Sequence, residues 1–329
     1  MEASGAAIYG YAGWFDGAFP RELINLHMSV HTPGSKLILG PWGHHAKFNS
    51  SPVVEGKQAS EFDQAAEIAR FFDFHLKGID LGISDEMPIH YYTMGEEKWK
   101  TASAWPPQKM DNVRYYLAER NSLSSEVLTT QQASDVYKVD FSAGTGIYSR
   151  FGEHLEGGRY PVTYPERKMR DQKLLTYTSA PLQQDTEITG NPIVTLFISS
   201  DTTDGAVFVY LEDVYPDGKV TIVTDGCLRP IFHKISDEKP PYWQAGPYRA
   251  YRKADSKLLE IGKVTELTFD LFPVSYLYKA GHSIRLAIAG ADADNFVQIP
   301  KGEPPVLQFY RGGEHTSCIN LPVIPRSCR

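Results

Sequence analysis

Residues 6–44 read AAIYGYAGWFDGAFPRELINLHMSVHTPGSKLILGPWGH, and this stretch decides how the first part of the chain is built. Residues 6–11 are a short, mostly apolar run with the length of a buried strand. The turn-rich Gly13-Trp14-Phe15-Asp16-Gly17 ends it. Pro20 suits the first turn of a helix, and Leu23, Leu26 and Val30 follow at helical spacing. Pro33-Gly34 stops that helix. Residues 36–39, Lys-Leu-Ile-Leu, form a second apolar run closed by Gly40-Pro41. Strand, helix and strand within ~35 residues predict a βαβ unit with parallel strands. Asp16 and His44 then fall just past the carboxyl ends of two neighbouring strands. Open α/β sheets collect ligands and catalytic groups there.

Further along, residues 61–77 predict a helix. Phe62, Ala65, Ala66, Ala69, Phe72 and Leu76 share one stripe, while Glu61, Glu67 and Lys77 face away. Ser60 is the expected N-cap, with Asp63 at the third helical position and Gly78 just past the end. From about residue 88 the pattern changes to short alternating or β-branched runs: 89–94, 113–118, 174–178, 193–199, 206–214, 220–224, 264–271 and 283–289. Asp217-Gly218 between two of them signals a hairpin. Residues 119–173 are polar and read as loop. The expected fold is mainly β: an antiparallel sandwich or jelly roll over residues 81–329, preceded by an α/β part over residues 1–80. Two parallel strands with their helices cannot cover both faces of a parallel sheet, so residues 1–80 read as the end of a larger α/β domain.

Composition removes several classes of function. The 329 residues carry a net charge of −7, with 42% hydrophobic and 22% charged residues. No basic excess is present to meet phosphates, so neither nucleic acid nor an anionic membrane is an expected partner. The nearest basic cluster, residues 166–170, has Glu166 mixed into it. No run of 18 apolar residues predicts a membrane span, and the first residues lack a basic and apolar leader. A cytoplasmic location follows as the expectation. Cys227, Cys318 and Cys328 have no metal-type spacing and read as thiols, with Cys328 open to oxidation at the C-terminus. No cofactor and no metal are expected.

Taken singly, Asp16 also suits a helix cap, and His44 a structural loop histidine. His44-His45 could pair with His31 or Asp16 around a metal, but adjacent histidines point to opposite sides of an extended chain. As a pair they match the later part of a Ser…Asp…His order. The segments Gly13-Trp14-Phe15-Asp16 and Leu39-Gly40-Pro41-Trp42-Gly43-His44, 28 positions apart at Asp16 and His44, resemble the Asp and His motifs of the cocaine-esterase/X-Pro dipeptidyl-peptidase family of serine hydrolases. Residues 70–78 resemble that family's helix leading out of the hydrolase domain. Residues 88–95 with Trp99 and Trp105-Pro106-Pro107 resemble the entry to its C-terminal jelly roll. Residues 185–190, 213–218, 225–226, 281–286 and 315–325 resemble later landmarks.

The resemblance implies an α/β-hydrolase domain, a helical cap, a galactose-binding-like jelly roll and acyl transfer on a small ester or peptide. Asp16 is implied as the triad acid and His44 as the general base. The family's Gly-x-Ser-x-Gly elbow has no match in this sequence, and Ser149 and Ser179 lack a strand-turn-helix context. The nucleophile is therefore expected from a missing segment or a partner chain, an N-terminal hydrolase half, and the chain alone is expected to be inactive. Two other readings stand beside this one. In the first, the chain is a carbohydrate- or partner-binding jelly roll, with Trp243, Tyr248 and Tyr251 as candidate sugar platforms. In the second, it is a structural domain whose exposed parallel edge strand supports a homo-oligomer.

Overall fold

The computed structural model describes residues 2–107, 109–127, 131–153 and 159–325; Cys328 lies outside them. The chain divides into two compact units. The first comprises Met1–Lys109, Tyr148–Thr163 and Pro240–Gln244; the second comprises Met110–Ile147, Tyr164–Lys239 and Ala245–Arg329.

In the first unit, β1 (Tyr9–Gly13), helix α1 (Phe19–Ser29) and β2 (Lys36–Gly40) form the expected βαβ unit, with Tyr9 opposite Lys36 and Gly13 opposite Gly40 in parallel register. Every residue of β2 is buried, as expected of a central strand covered on both faces. The short strands β3 (Phe48–Asn49) and β4 (Gln58–Ala59) form a small ribbon. Helix α2 (Gln64–Lys77) follows, and then β5 (Ile89–Thr93) and β6 (Lys98–Ala102). The sheet order is β1-β2-β5-β6, with β5 parallel to β2 and antiparallel to β6. The change of sequence pattern near residue 88 precedes the limit of this unit at Lys109, because β5 and β6 join the first sheet. β1 is an edge strand among the described residues.

Helix α2 differs from expectation at its start and on its faces. Its cap is Asp63, whose carboxylate accepts from the Ala66 N–H at 3.0 Å. Ser60 instead extends the β3–β4 ribbon by donating its N–H to Lys47 O at 2.9 Å. The buried residue is Phe71, against Tyr9 at 5.2 Å between ring centroids. Phe72 and Leu76, of the predicted apolar stripe, are exposed. Gly78 ends the helix in the left-handed region at φ 70°. Replacing Asp63 by Ala is expected to cost about 1 kcal/mol, the usual worth of such a cap, read as a lower urea midpoint.

The second unit is a large, almost wholly antiparallel sheet system. Its strands are β7 (Asp111–Ala118), β8 (Ser122–Ser124), β9 (Ala133–Lys138), β10 (Leu175–Ser179), β11 (Thr186–Gly190), β12 (Ile193–Ser200), β13 (Val207–Val214), β14 (Val220–Leu228), β15 (Thr265–Asp270), β16 (Val274–Tyr278), β17 (Ser283–Ala289), β18 (Val306–Arg311) and β19 (Cys318–Ile324). The main path runs β14-β13-β17-β10-β8-β7-β19-β12-β18-β9, with β11 pairing β16 and β19, and β15 pairing β12. The β13–β14 hairpin turns at Asp217-Gly218, where Gly218 takes φ 87° and Asp217 Oδ1 accepts from the Lys219 N–H at 2.9 Å. The stretch read as loop, residues 119–173, contains β8, β9 and the one-turn helix α3 (Arg167–Arg170). β9 shows little apolar periodicity because it pairs at an edge, with Tyr137 buried and Val136 exposed.

Candidate active site

The loop after β1 and the loop after β2 are tied together by backbone. Trp14 N–H donates to Gly40 O at 2.8 Å, and Phe15 N–H donates to Trp42 O at 3.2 Å. The approach is so close that a Cβ on Gly13 would lie 1.8 Å from Trp42 O, so only glycine fits there. Trp14 anchors the first loop: it is fully buried, and its Nε1–H donates to Tyr92 O at 2.7 Å.

Asp16 does not cap α1. The capping position is Ala18, without a side-chain cap, and the Asp16 carbonyl accepts from the Phe19 N–H at 3.0 Å. The Asp16 side chain turns instead to His44, with Oδ1 2.9 Å from Nδ1. A carboxylate only accepts, so Nδ1 carries the proton and Nε2 is the basic nitrogen. The two partners differ in exposure: the Asp16 side chain is 7% exposed and that of His44 is 41% exposed. Phe19 stacks on the His44 ring at 5.3 Å, and His45 meets it edge-on at 5.1 Å. This arrangement can hold one imidazole tautomer, stabilise the imidazolium and present Nε2 to an incoming proton donor.

The other candidates fall elsewhere. Ser149 belongs to the first unit and is 1% exposed. Ser179 belongs to the second unit and donates its hydroxyl to Ala180 O at 2.8 Å. Trp243 is counted with the first unit, Tyr248 and Tyr251 with the second. Tyr251 meets Phe232 edge-on at 5.4 Å. Among the described residues no group of three or more His, Cys, Asp or Glu could hold a metal ion, no helix is long and apolar enough to cross a membrane, and Cys227 is exposed and Cys318 buried.

A second Asp–His pair was not legible in sequence. Asp213 and His282 meet at 2.9 Å, and Tyr276 donates its hydroxyl to Asp213 at 2.7 Å. Burial pushes the Asp213 carboxyl above its ordinary range, against the hydrogen bonds from Tyr276 and His282. The His282 side chain is only 13% exposed and lies under the Tyr215 ring at 4.4 Å. That pair has the contact of the first without its opening to solvent, and it pins the end of β13 to the segment entering β17.

The comparisons with known proteins agree with this architecture. The family described as the X-Pro dipeptidyl-peptidase C-terminal non-catalytic domain matches residues 82–319. The chain belongs to this family of cocaine-esterase and X-Pro dipeptidyl-peptidase proteins and corresponds to their C-terminal part. A predicted serine esterase of Mycobacterium bovis is 48% identical over 324 residues, which is 98% of this chain and 51% of that protein. Cocaine esterase of a Rhodococcus species is 24% identical over 350 residues, 96% of this chain and 56% of that protein. The solved structure of a CocE/NonD family hydrolase from Staphylococcus aureus superposes with a TM-score of 0.71 at 17% identity, covering 97% of this chain and 54% of that one. The chain spans about half the length of the curated relatives it matches.

Proposed function

We propose that this chain is the acid- and base-bearing part of a serine hydrolase that cleaves esters or amides through an acyl-enzyme. Asp16 is the triad acid and His44 the general base. The observation that carries the reading is the 2.9 Å contact between a buried carboxylate and a half-open imidazole, past the ends of two parallel strands. The first unit, to which β5 and β6 also belong, then ends an α/β-hydrolase domain. The second unit forms a galactose-binding-like jelly roll. The non-catalytic description of residues 82–319 fits this division, because Asp16 and His44 precede them.

The nucleophilic serine and the oxyanion donors come from polypeptide outside this sequence, which has no Gly-x-Ser-x-Gly. In the assembled site His44 Nε2 takes the serine hydroxyl proton as Oγ attacks the carbonyl carbon. Collapse of the tetrahedral intermediate expels the alcohol or amine, which takes that proton from Nε2 and leaves an acyl-serine. Water then attacks with His44 again as base, releasing the acid and restoring the serine. Asp16 holds the tautomer and stabilises the imidazolium in both halves.

The test is complementation. With 4-nitrophenyl acetate the purified chain alone is expected to give no acyl-enzyme burst. Addition of the part of the 48%-identical mycobacterial relative that this chain does not match is expected to restore hydrolysis. A stoichiometric burst from the chain alone that survives purification, or restored activity indifferent to His44, would overturn the reading.

A further inference from the structure

The segment Tyr148–Thr163 belongs to the first unit, although strands of the second unit separate it in sequence from β1 and β2. Its two ends are tied by Thr163 N–H donating to Tyr148 O at 2.9 Å. Within it, Ser149 O accepts from the N–H groups of Gly152 and Glu153, both at 3.1 Å. This tight turn presents two charged side chains to the loops of the Asp16–His44 pair.

Arg150 is 1% exposed. Its Nη1 donates to Trp14 O at 2.9 Å and to Gly17 O at 3.2 Å, the carbonyls that bracket Phe15-Asp16, and its guanidinium lies 5.6 Å from the Phe15 ring centroid. Glu153 is 3% exposed, and its Oε2 accepts the backbone N–H of His44 at 3.0 Å. The fit is tight: a Cβ on Gly43 would lie 2.8 Å from Val162 Cγ2 and 2.9 Å from Glu153 Oε2. Val162 N–H donates to Ser50 Oγ at 3.0 Å, and Ser50 N–H donates to Pro41 O at 2.6 Å, so the segment is stitched to the His44 loop at a second point.

We infer that Arg150 and Glu153 are positioning residues for the Asp16–His44 pair, one fixing the loop of the acid and the other the backbone of the base. This rests on the assignment of Asp16 and His44 in the proposed function. Both bonds leave from the one Nη1 amino group, whose two N–H directions are fixed in the guanidinium plane, whereas the three N–H donors of a lysine ammonium rotate freely. A carboxylate accepting a backbone N–H makes a charge-assisted bond about twice as strong as a neutral one. Both act where a drift of about 1 Å would undo the alignment of base and nucleophile. The segment thus supplies, 109 residues after His44, the support that the two strand-end loops do not give themselves.

The experiment is nitrogen-resolved NMR of the chain labelled with 15N-histidine, which reads the His44 tautomer and its Nδ1 proton directly. The wild-type chain is expected to show His44 protonated at Nδ1, with a slowly exchanging downfield proton. Glu153→Ala and Arg150→Ala are expected to lose that proton and mix the tautomers, whereas Glu153→Gln, whose amide oxygen still accepts, keeps both features. Alanine variants with a wild-type His44 spectrum would overturn the inference, as would a Glu153→Gln spectrum no better than Glu153→Ala. Should an alanine variant fail to unfold cooperatively in urea, Arg150→Lys is read instead: loss of at least half the proton intensity supports the inference and an unchanged spectrum overturns it. Complementation separates this from the function. Inactivity of the complemented chain, with the Arg150 and Glu153 variants still losing the His44 signal, would remove the catalytic assignment and leave the positioning intact.

Discussion

In the complemented enzyme, Asp16→Asn is expected to lower kcat for ester hydrolysis about 10⁴-fold while KM moves little, a barrier increase of about 5.5 kcal/mol. The asparagine amide can turn its N–H toward Nδ1 and so favour the opposite tautomer, with the proton on Nε2. An Nε2 that already carries a proton cannot take one from serine. His44→Ala removes the base outright and is expected to cost at least as much. The two residues act as a unit, so the double variant Asp16→Asn/His44→Ala is expected to be no worse than His44→Ala alone. A loss of less than tenfold for Asp16→Asn, or multiplicative losses in the double variant, would show that Asp16 serves the loop and not the chemistry.

The pair was legible in sequence because local punctuation placed it. An apolar run ended by Gly13 and another ended by Gly40-Pro41, joined by one helix, put both residues at strand ends. What holds the pair was not legible. Arg150 lies 136 residues from Trp14, and nothing in the composition of residues 148–163 marks it as part of the first unit. Helix α2 shows another limit. Periodicity finds an apolar stripe, yet burial depends on what the rest of the chain supplies, and here Phe71 packs on Tyr9 while Phe72 and Leu76 stay open. In the second unit the alternating runs mark β7, β10, β12, β13, β14, β15 and β17, whereas β8, β9, β11, β16, β18 and β19 lie outside them. β9 is a polar edge strand whose partner β18 lies far along the chain, so its pairing leaves no local pattern.

The largest effect on stability is expected from Arg167→Met in the second unit. Arg167 opens α3 and is 1% exposed. Its Nε donates to Glu212 Oε1 at 2.8 Å, its Nη2 lies 3.0 Å from Asp171 Oδ1, and its guanidinium sits 4.9 Å from the Tyr210 ring centroid. Glu212 is 0% exposed on β13, and Asp171 also receives Arg285 Nη1 at 3.1 Å. Burial alone would lower the pKa of Arg167, but Glu212 and Asp171 outweigh it and hold the cation above its ordinary value. Burial pushes the Glu212 carboxyl up to about 8, against the opposing charge of Arg167. Methionine removes that opposing charge and leaves Glu212 buried without it, which is expected to cost about 3–5 kcal/mol at pH 8. The folded state then keeps a proton on Glu212 that the unfolded chain releases near 4.5. A folded pKa above the unfolded one gives stability that is full below the unfolded value and is lost as pH rises through the folded value. Wild-type Glu212 is itself raised to about 8, so both proteins lose this stability in parallel up to that pH. The deficit is therefore expected to be nearly equal at pH 5 and pH 7 and to grow only above pH 8, in urea unfolding of variant and wild type at pH 5, 7 and 9. Adding Glu212→Gln to Arg167→Met removes the group that must take up a proton on folding, so it is expected to recover stability at pH 8 and little at pH 5. A deficit no larger at pH 9 than at pH 5, or no recovery by Glu212→Gln at pH 8, would mean that Arg167 stabilises through packing on Tyr210 and not through charge.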